Sequence, residues 1–317
     1  MKKFFAMIFV LVAALTLGAC TKTEFKVDGE FTAFEQTIHN DAPQITSVTV
    51  TIEKGKITKF YIDSTQGVAV KDGEEFTAVK WNEKSKKELG YFYGMHFPQA
   101  GLGPITEANL EAYKTWLTEN EKLEWFEQAN LIEAKWLADG VDSVTTDKGV
   151  VDNVAGVTVK DGGYIALAKK AVENAKAGKV VVYELGDTQG KPDIYWAEGT
   201  YEGGKLKTLV IDTLQSSFAA DQAFTWNEKS KQELGYFYGM HFPEAGLGPI
   251  TEANLEAYKT WLTENDKLEW FEQVKIITDD VLANGYKNAA AVDALAGVTV
   301  TTSHYSALID ALLKAVK

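Results

Sequence analysis

Two threonines, Thr158 and Thr299, stand in the same short context: Asp152-Asn-Val-Ala-Gly-Val-Thr-Val and Asp293-Ala-Leu-Ala-Gly-Val-Thr-Val. A threonine hydroxyl is a weak nucleophile unless a base or an enzyme activates it. Each motif runs into a helical pattern, residues 164 to 175 in one copy and 305 to 316 in the other, where Leu308, Leu312 and Val316 share an apolar face. The threonines therefore fall just upstream of helix N-termini, where free N–H groups and the helix dipole favour an anion. Gly156 and Gly297 let the backbone fold closely around such a group. A phosphate at each threonine is the chemistry this spacing suits. The second copy also offers Thr301, but Lys160 stands there in the first, so a shared chemistry points to Thr158 and Thr299. The same letters also suit a strand entering a helix, glycine for the turn and threonine for β-propensity. Persistence of the aspartate, the Ala-Gly-Val-Thr-Val run, an aromatic (Tyr164, Tyr305) and Ala-Leu in register favours the functional reading.

The elements that position these motifs also recur. Trp81 to Gln128 returns as Trp226 to Gln273 with three changes in 48 positions, at Lys87/Gln232, Gln99/Glu244 and Glu121/Asp266. The chain reads as a tandem duplication of two α+β lobes, residues 31–177 and 178–317, each a small antiparallel sheet with packed helices. Residues 45–63 alternate β-branched side chains about a Lys54-Gly55-Lys56 turn, and residues 194–212 do so loosely about Gly203-Gly204, as hairpins should. In the repeated block Thr106 is the expected N-cap of a helix carrying Leu110, Tyr113, Trp116 and Leu117 on one stripe. Thr118 and Glu121 form a capping-box pattern expected to open another.

The block is rich in rings. Tyr91, Tyr93 and His96, with Tyr236, Tyr238 and His241, could contact a planar cofactor through aromatic faces and polar edges, although aromatics in a small lobe are more often core. Four histidines and one cysteine form no metal-ligand spacing, and neither a glycine-rich phosphate loop nor a Ser-His-Asp set is present. All 32 basic residues are lysine, against 45 acids, for a net charge of -13 without any lysine-rich run. That balance offers no basic patch for a phosphodiester backbone, so nucleic acid is not an expected partner.

The first residues read as an export signal: Lys2 and Lys3, an apolar stretch from Phe4 to Leu15, then Leu17-Gly18-Ala19-Cys20. The segment resembles the lipobox of bacterial lipoproteins. That resemblance implies cleavage after residue 19, diacylglycerol on Cys20, and a lipid anchor at the outer face of the cell membrane. Residues 20–30 are then expected as a tether, of which 21–29 form a mobile spacer.

The repeated motif resembles the Asp-x-x-Ser/Thr-Gly-Ala-Thr sequence of FMN-binding domains, with Ala155 and Ala296 where that family has a hydroxyl and Val157 and Val298 in place of alanine. The hairpin upstream is similar to the strands of that family. Together with the lipobox and the doubled lobe, the chain is similar to the flavinylated lipoproteins of Gram-positive extracellular electron transfer. The resemblance implies two FMN groups joined by a flavin transferase as phosphoesters to Thr158 and Thr299, with Asp152 and Asp293 as the motif carboxylates, an electron-transfer flavoprotein without catalytic residues, a quinone-linked membrane donor, and ferric iron or another extracellular acceptor. Two other readings stay open: a non-redox ligand-binding lipoprotein, and a flavin-delivery subunit of an organic-substrate reductase.

Overall fold

The computed structural model describes residues 24–219 and 222–317. Cys20 and the expected signal segment lie outside the described residues. The fold is α+β, with antiparallel sheets and packed helices. The first lobe opens with β1 (Gly29–His39), β2 (Ala42–Glu53), β3 (Lys56–Asp72) and β4 (Glu75–Trp81), paired in that order in one sheet. Helices α1 (Lys86–Leu89), α2 (Leu110–Glu119) and α3 (Trp125–Asp139) follow, then the two-residue strands β5 (Thr146–Asp147) and β6 (Val150–Val151), and α4 (Tyr164–Ala177). The second lobe repeats the plan with β7 (Lys179–Thr188), β8 (Lys191–Glu202) and β9 (Lys205–Leu214) in one sheet, and β10 (Ser216–Ala219) with β11 (Gln222–Trp226) in a separate hairpin. It ends in α5 (Lys231–Leu234), α6 (Leu255–Glu264), α7 (Trp270–Asn284), α8 (Ala289–Asp293) and α9 (Ser303–Lys314).

Local chemistry explains most boundaries. The Lys54-Gly55 turn joins β2 to β3, and Asp28 accepts the backbone N–H groups of both turn residues, fixing its shape. The lobes meet at Gly178, which ends α4 in the left-handed conformation and releases the chain into β7. Two expected caps move. Thr106 does not open α2: its N–H and hydroxyl both bond the side chain of Asn109, the residue that stands at the N-cap, so the helix begins at Leu110. Thr118 does not start a helix either, because its hydroxyl bonds back to Lys114 O in the last turn of α2. The capping box of α3 is Glu124 with Glu127, and Glu269 with Glu272 repeats it for α7.

One apolar core runs through both lobes, from Phe31, Val48 and Val50 to Ile277 and Leu308. Helix α4 covers β1 and β2, α3 covers β3, and α9 covers β7 and β8. Between the lobes Ile45 of β2 meets Ile194 of β8, and Tyr183 donates to Ser47 Oγ at 3.1 Å. The joint is reciprocal: Trp81 Nε1 donates to Gly186 O at 3.1 Å, Trp226 Nε1 donates to Thr37 O at 3.0 Å, and the two indoles lie 6.1 Å apart. This is the pattern of a two-fold interface made within one chain. Replacing Trp226 by alanine is expected to lower stability by about 3 kcal/mol, through lost burial and an orphaned Thr37 carbonyl. Adding Trp81→Ala should then take less than a second full increment, because the partner ring is already gone. Urea unfolding of the two single variants and the double variant measures both quantities.

The spacer expectation is corrected. Phe25 is 5% exposed within the main core, and β1 starts at Gly29, which bridges Val316 at the opposite end of the chain. An aromatic side chain among polar neighbours is enough to pin this stretch, so residues 25–29 belong to the body.

Candidate functional site

Both threonines are exposed, and each is held by a buried glutamine amide. Gln128 Oε1 accepts from the N–H of Thr158 at 2.7 Å, from Val159 N–H at 3.1 Å and from the Thr158 hydroxyl at 3.3 Å. Gln273 does the same for Thr299 and Val300 at 2.7, 3.1 and 3.2 Å. The amide orientation follows from its other end: Nε2 donates to Leu123 O in one lobe and to Leu268 O in the other, each at 2.9 Å, which leaves the oxygen for the threonine loop. Gly156 (φ 81°) and Gly297 (φ 85°) make the turn before the threonine, a conformation that glycine adopts without strain. The motif is thus a turn anchored on the last residue of the repeated block, and not a strand entering a helix.

The motif carboxylates brace their own loops. Asp152 accepts from the Thr145 hydroxyl at 2.7 Å and Asp293 from the Thr302 hydroxyl at 3.1 Å. The helix N-terminus after Thr158 is already served by Asp161, which accepts from Ile165 N–H at 3.0 Å. In the first lobe that internal carboxylate takes the position at which the sequence suggested a phosphate. In the second lobe the matching residue is Thr302, which carries no charge.

Beside Thr299 a cavity of about 510 Å³ opens between the β7–β8 turn, α5, α7 and α9. Its wall includes Tyr195, Lys231, Tyr238, Trp270 and Tyr305. Lys231 is 8% exposed, and its ammonium lies 4.6 Å from the Tyr238 ring centre and 5.4 Å from that of Trp270. Burial pushes this lysine down to about 8, against the longer-range pull of Asp193 and Asp212. Tyr238 is pushed up to about 12, chiefly by burial, and so stays a neutral phenol at ordinary pH. Trp270 Nε1 donates to the Tyr305 hydroxyl at 2.7 Å. The first lobe builds the same corner: Lys86, also lowered to about 8 by burial, stands over Tyr93 at 5.0 Å and Trp125 at 5.4 Å, and Trp125 Nε1 donates to the Tyr164 hydroxyl at 3.2 Å. A buried cation with π-faces beside an accessible hydroxyl can hold an anionic or electron-poor planar ligand.

The aromatic candidates divide. Tyr238 lines the Thr299 cavity, and Tyr93 occupies the matching corner of the first lobe. Tyr91 and Tyr236 bond Glu127 at 3.0 Å and Glu272 at 2.9 Å, and line separate cavities of about 690 and 610 Å³ behind the motif turn. His96 and His241 each place Nε2 at 3.2 Å from the Leu123 or Leu268 carbonyl, the same oxygen that Gln128 or Gln273 holds. Burial lowers the His96 pKa, which suits a neutral ring donating Nε2–H to that carbonyl. The histidines thus brace the amide that braces the threonine.

Sequence reasoning missed Gln128, Gln273, Lys86 and Lys231. The glutamines close the repeated block, and that position was the one signal for them. Nothing marked the lysines, because a lysine just after a capping serine, in Ser-Lys-Lys-Glu-Leu or Ser-Lys-Gln-Glu-Leu, reads as a solvated helix position. Among the described residues, no group of three or more His, Cys, Asp or Glu is arranged to hold a metal ion, and no helix is long and apolar enough to cross a membrane. Comparison with family models, with curated proteins and with solved structures returned no match.

Proposed function

We propose that the chain is an extracytoplasmic flavoprotein carrying two FMN groups as phosphoesters on Thr158 and Thr299, anchored to the cell membrane through Cys20, and that it passes electrons from a quinone-linked membrane source to acceptors such as ferric iron. The observation that carries this reading is the matched pair of exposed threonines, each fixed by a buried glutamine, in lobes that each bury a lysine among aromatic rings, the second of these lysines lining the cavity beside Thr299. The residues suit FMN. Lys86 and Lys231 would hold its phosphate or the polar edge of its ring, and Tyr93 and Tyr238 would meet the ring face. FMN, when bound, supplies one- and two-electron chemistry. The protein fixes the attachment point and supplies the surroundings. A phosphoester needs an activated donor, so the partner is a transferase using an FMN phosphoanhydride such as flavin adenine dinucleotide. The threonine Oγ–phosphorus bond forms, the anhydride bond breaks, AMP leaves, and the hydroxyl proton passes to a base of the transferase.

Intact mass tests this directly. Protein made with a flavin transferase is expected to carry two FMN, Thr158→Ala and Thr299→Ala one each, and the double variant none, while Thr301→Ala keeps both. Flavin retained in the double variant would overturn the assignment. Protein made without the transferase and mixed with free FMN should gain no mass, because an unactivated hydroxyl does not displace phosphate oxygen. A protein that stays colourless and unmodified with the transferase favours the non-redox binding reading.

A further inference from the structure

The two threonine sites share their lysine corner but not their outer wall. In the second lobe His304 stacks on Tyr195, with ring centres 4.2 Å apart and an interplanar angle of 12°. His304 Nδ1 is 2.9 Å from Glu184 Oε2, and the Tyr195 hydroxyl is 3.2 Å from Thr188 Oγ1, so both rings are pinned at their polar ends. Gly186 makes the room: a Cβ there would come within 2.5 Å of the Tyr195 ring and 3.3 Å of His304. Both rings line the cavity beside Thr299. Tyr195 continues to Tyr305 at 6.4 Å, and Tyr305 to Trp270 at 6.1 Å, giving a connected wall of four rings.

The first lobe lacks the outer half of that wall. The cross-strand pair Glu184 and Tyr195 has its counterpart in Glu35 and Thr46, and Gly186 has its counterpart in Thr37, matched by the reciprocal Trp81 and Trp226 bonds. Gly163 stands where the second lobe has His304, in the left-handed conformation (φ 85°), and the place a side chain would take is filled by the Glu35 carboxylate. Its wall therefore stops at Tyr164 and Trp125, 6.3 Å apart.

We infer that Tyr195 and His304 make the second lobe the tight seat for a planar aromatic ring of the isoalloxazine class, whereas the first lobe leaves such a ring largely uncovered. The proposal rests on the flavin reading for the class of ligand, and on the ring geometry alone for the difference between the lobes. Tyr195 is buried with His304 stacked on its face, so the ring that meets the ligand is His304, one-third exposed and held in place by Tyr195 and Glu184; a ring already held in place loses little freedom when the ligand arrives.

The test uses riboflavin, which has no phosphate and cannot be attached, added to full-length protein made without a transferase. Fluorescence quenching and calorimetry are expected to show one equivalent bound. Tyr195→Thr and His304→Ala should each weaken binding about tenfold, the scale of a lost stacking contact with its packing. Tyr195→Phe, which keeps the ring and drops only the hydroxyl, should stay within about twofold of wild type. Thr46→Ala in the first lobe should change nothing. Near-UV circular dichroism establishes that each variant is folded, and the phenylalanine variant separates loss of the ring from general disruption. Two equivalents of equal affinity, no binding up to the solubility limit, or Tyr195→Thr indistinguishable from wild type would each overturn the inference. Failure of the flavin attachment itself is seen separately, as absent FMN mass in protein made with the transferase.

Discussion

Replacing Lys231 by methionine is expected to stabilise the protein at pH 7 by up to about 3 kcal/mol, since burial lowers this lysine from 10.5 to about 8 and each tenfold loss of proton affinity on folding costs the charged form roughly 1.4 kcal/mol. The sign follows from proton counts. Between pH 8 and 10.5 the unfolded chain holds the lysine proton and the folded chain has released it, so wild-type stability rises with pH across that window. Below pH 8 both states are charged and the whole penalty is present. The methionine variant should lose this rise, gain most at neutral pH, and converge with wild type near pH 10.5. Cation–π contact with Tyr238 and Trp270 offsets part of the penalty and bounds the gain from above. Lys86→Met should behave alike, since burial lowers Lys86 to about 8 as well. Thermal and urea unfolding from pH 7 to 10.5 give the measurement, and a variant less stable than wild type at pH 7 would overturn the account. A buried cation kept at a stability penalty in both lobes, in the second on the wall of the cavity beside Thr299, is the stability–function conflict expected of a ligand site.

Much of this architecture was legible in the sequence, because period-two patterns, glycine turns and a 48-residue repeat are local signals. The hairpin about Lys54-Gly55 and the end of α4 at Gly178 fall where those signals place them. The misplaced caps have separate causes. Asn109 holds the N–H and hydroxyl of Thr106 and stands at the N-cap of α2 without a side-chain cap bond of its own, whereas Glu124 caps α3 in place of Thr118 with a buried carboxylate that the Tyr113 hydroxyl bonds. A tertiary contact decided a local choice. The site divides in the same way. Thr158 and Thr299 were readable from a repeated motif, whereas the glutamine that holds each of them lies 30 residues upstream in one lobe and 26 in the other, across a fold that sequence spacing does not reveal. Tyr195 and His304 were invisible for a further reason: they break the repeat, and attention to what the lobes share passes over them.

Gln273→Leu should then be the most damaging single change at the second threonine. The substitution removes one oxygen that serves the N–H groups of Thr299 and Val300 and the Thr299 hydroxyl, and one N–H that serves Leu268 O. Gln273 is 1% exposed, so water does not replace those bonds at the amide itself, and each buried group left unpaired costs about 1–3 kcal/mol. A total loss of about 2–5 kcal/mol is expected, short of the plain sum because the exposed threonine loop can turn toward solvent. That escape is what couples stability to chemistry: a loop that has swung outward no longer presents Thr299 beside Lys231. Peptide mapping of protein made with the transferase should show FMN lost from Thr299 while Thr158 stays fully occupied, and Gln128→Leu should give the mirror result. Gln273→Glu sharpens the point. It keeps Oε1 for the three donors but sets a carboxylate oxygen against the Leu268 carbonyl, so it should destabilise the fold while leaving more FMN on Thr299 than leucine does. Equal occupancy at both threonines in Gln273→Leu would show that the hydroxyl is presented without the glutamine, and would remove the positioning role from both lobes.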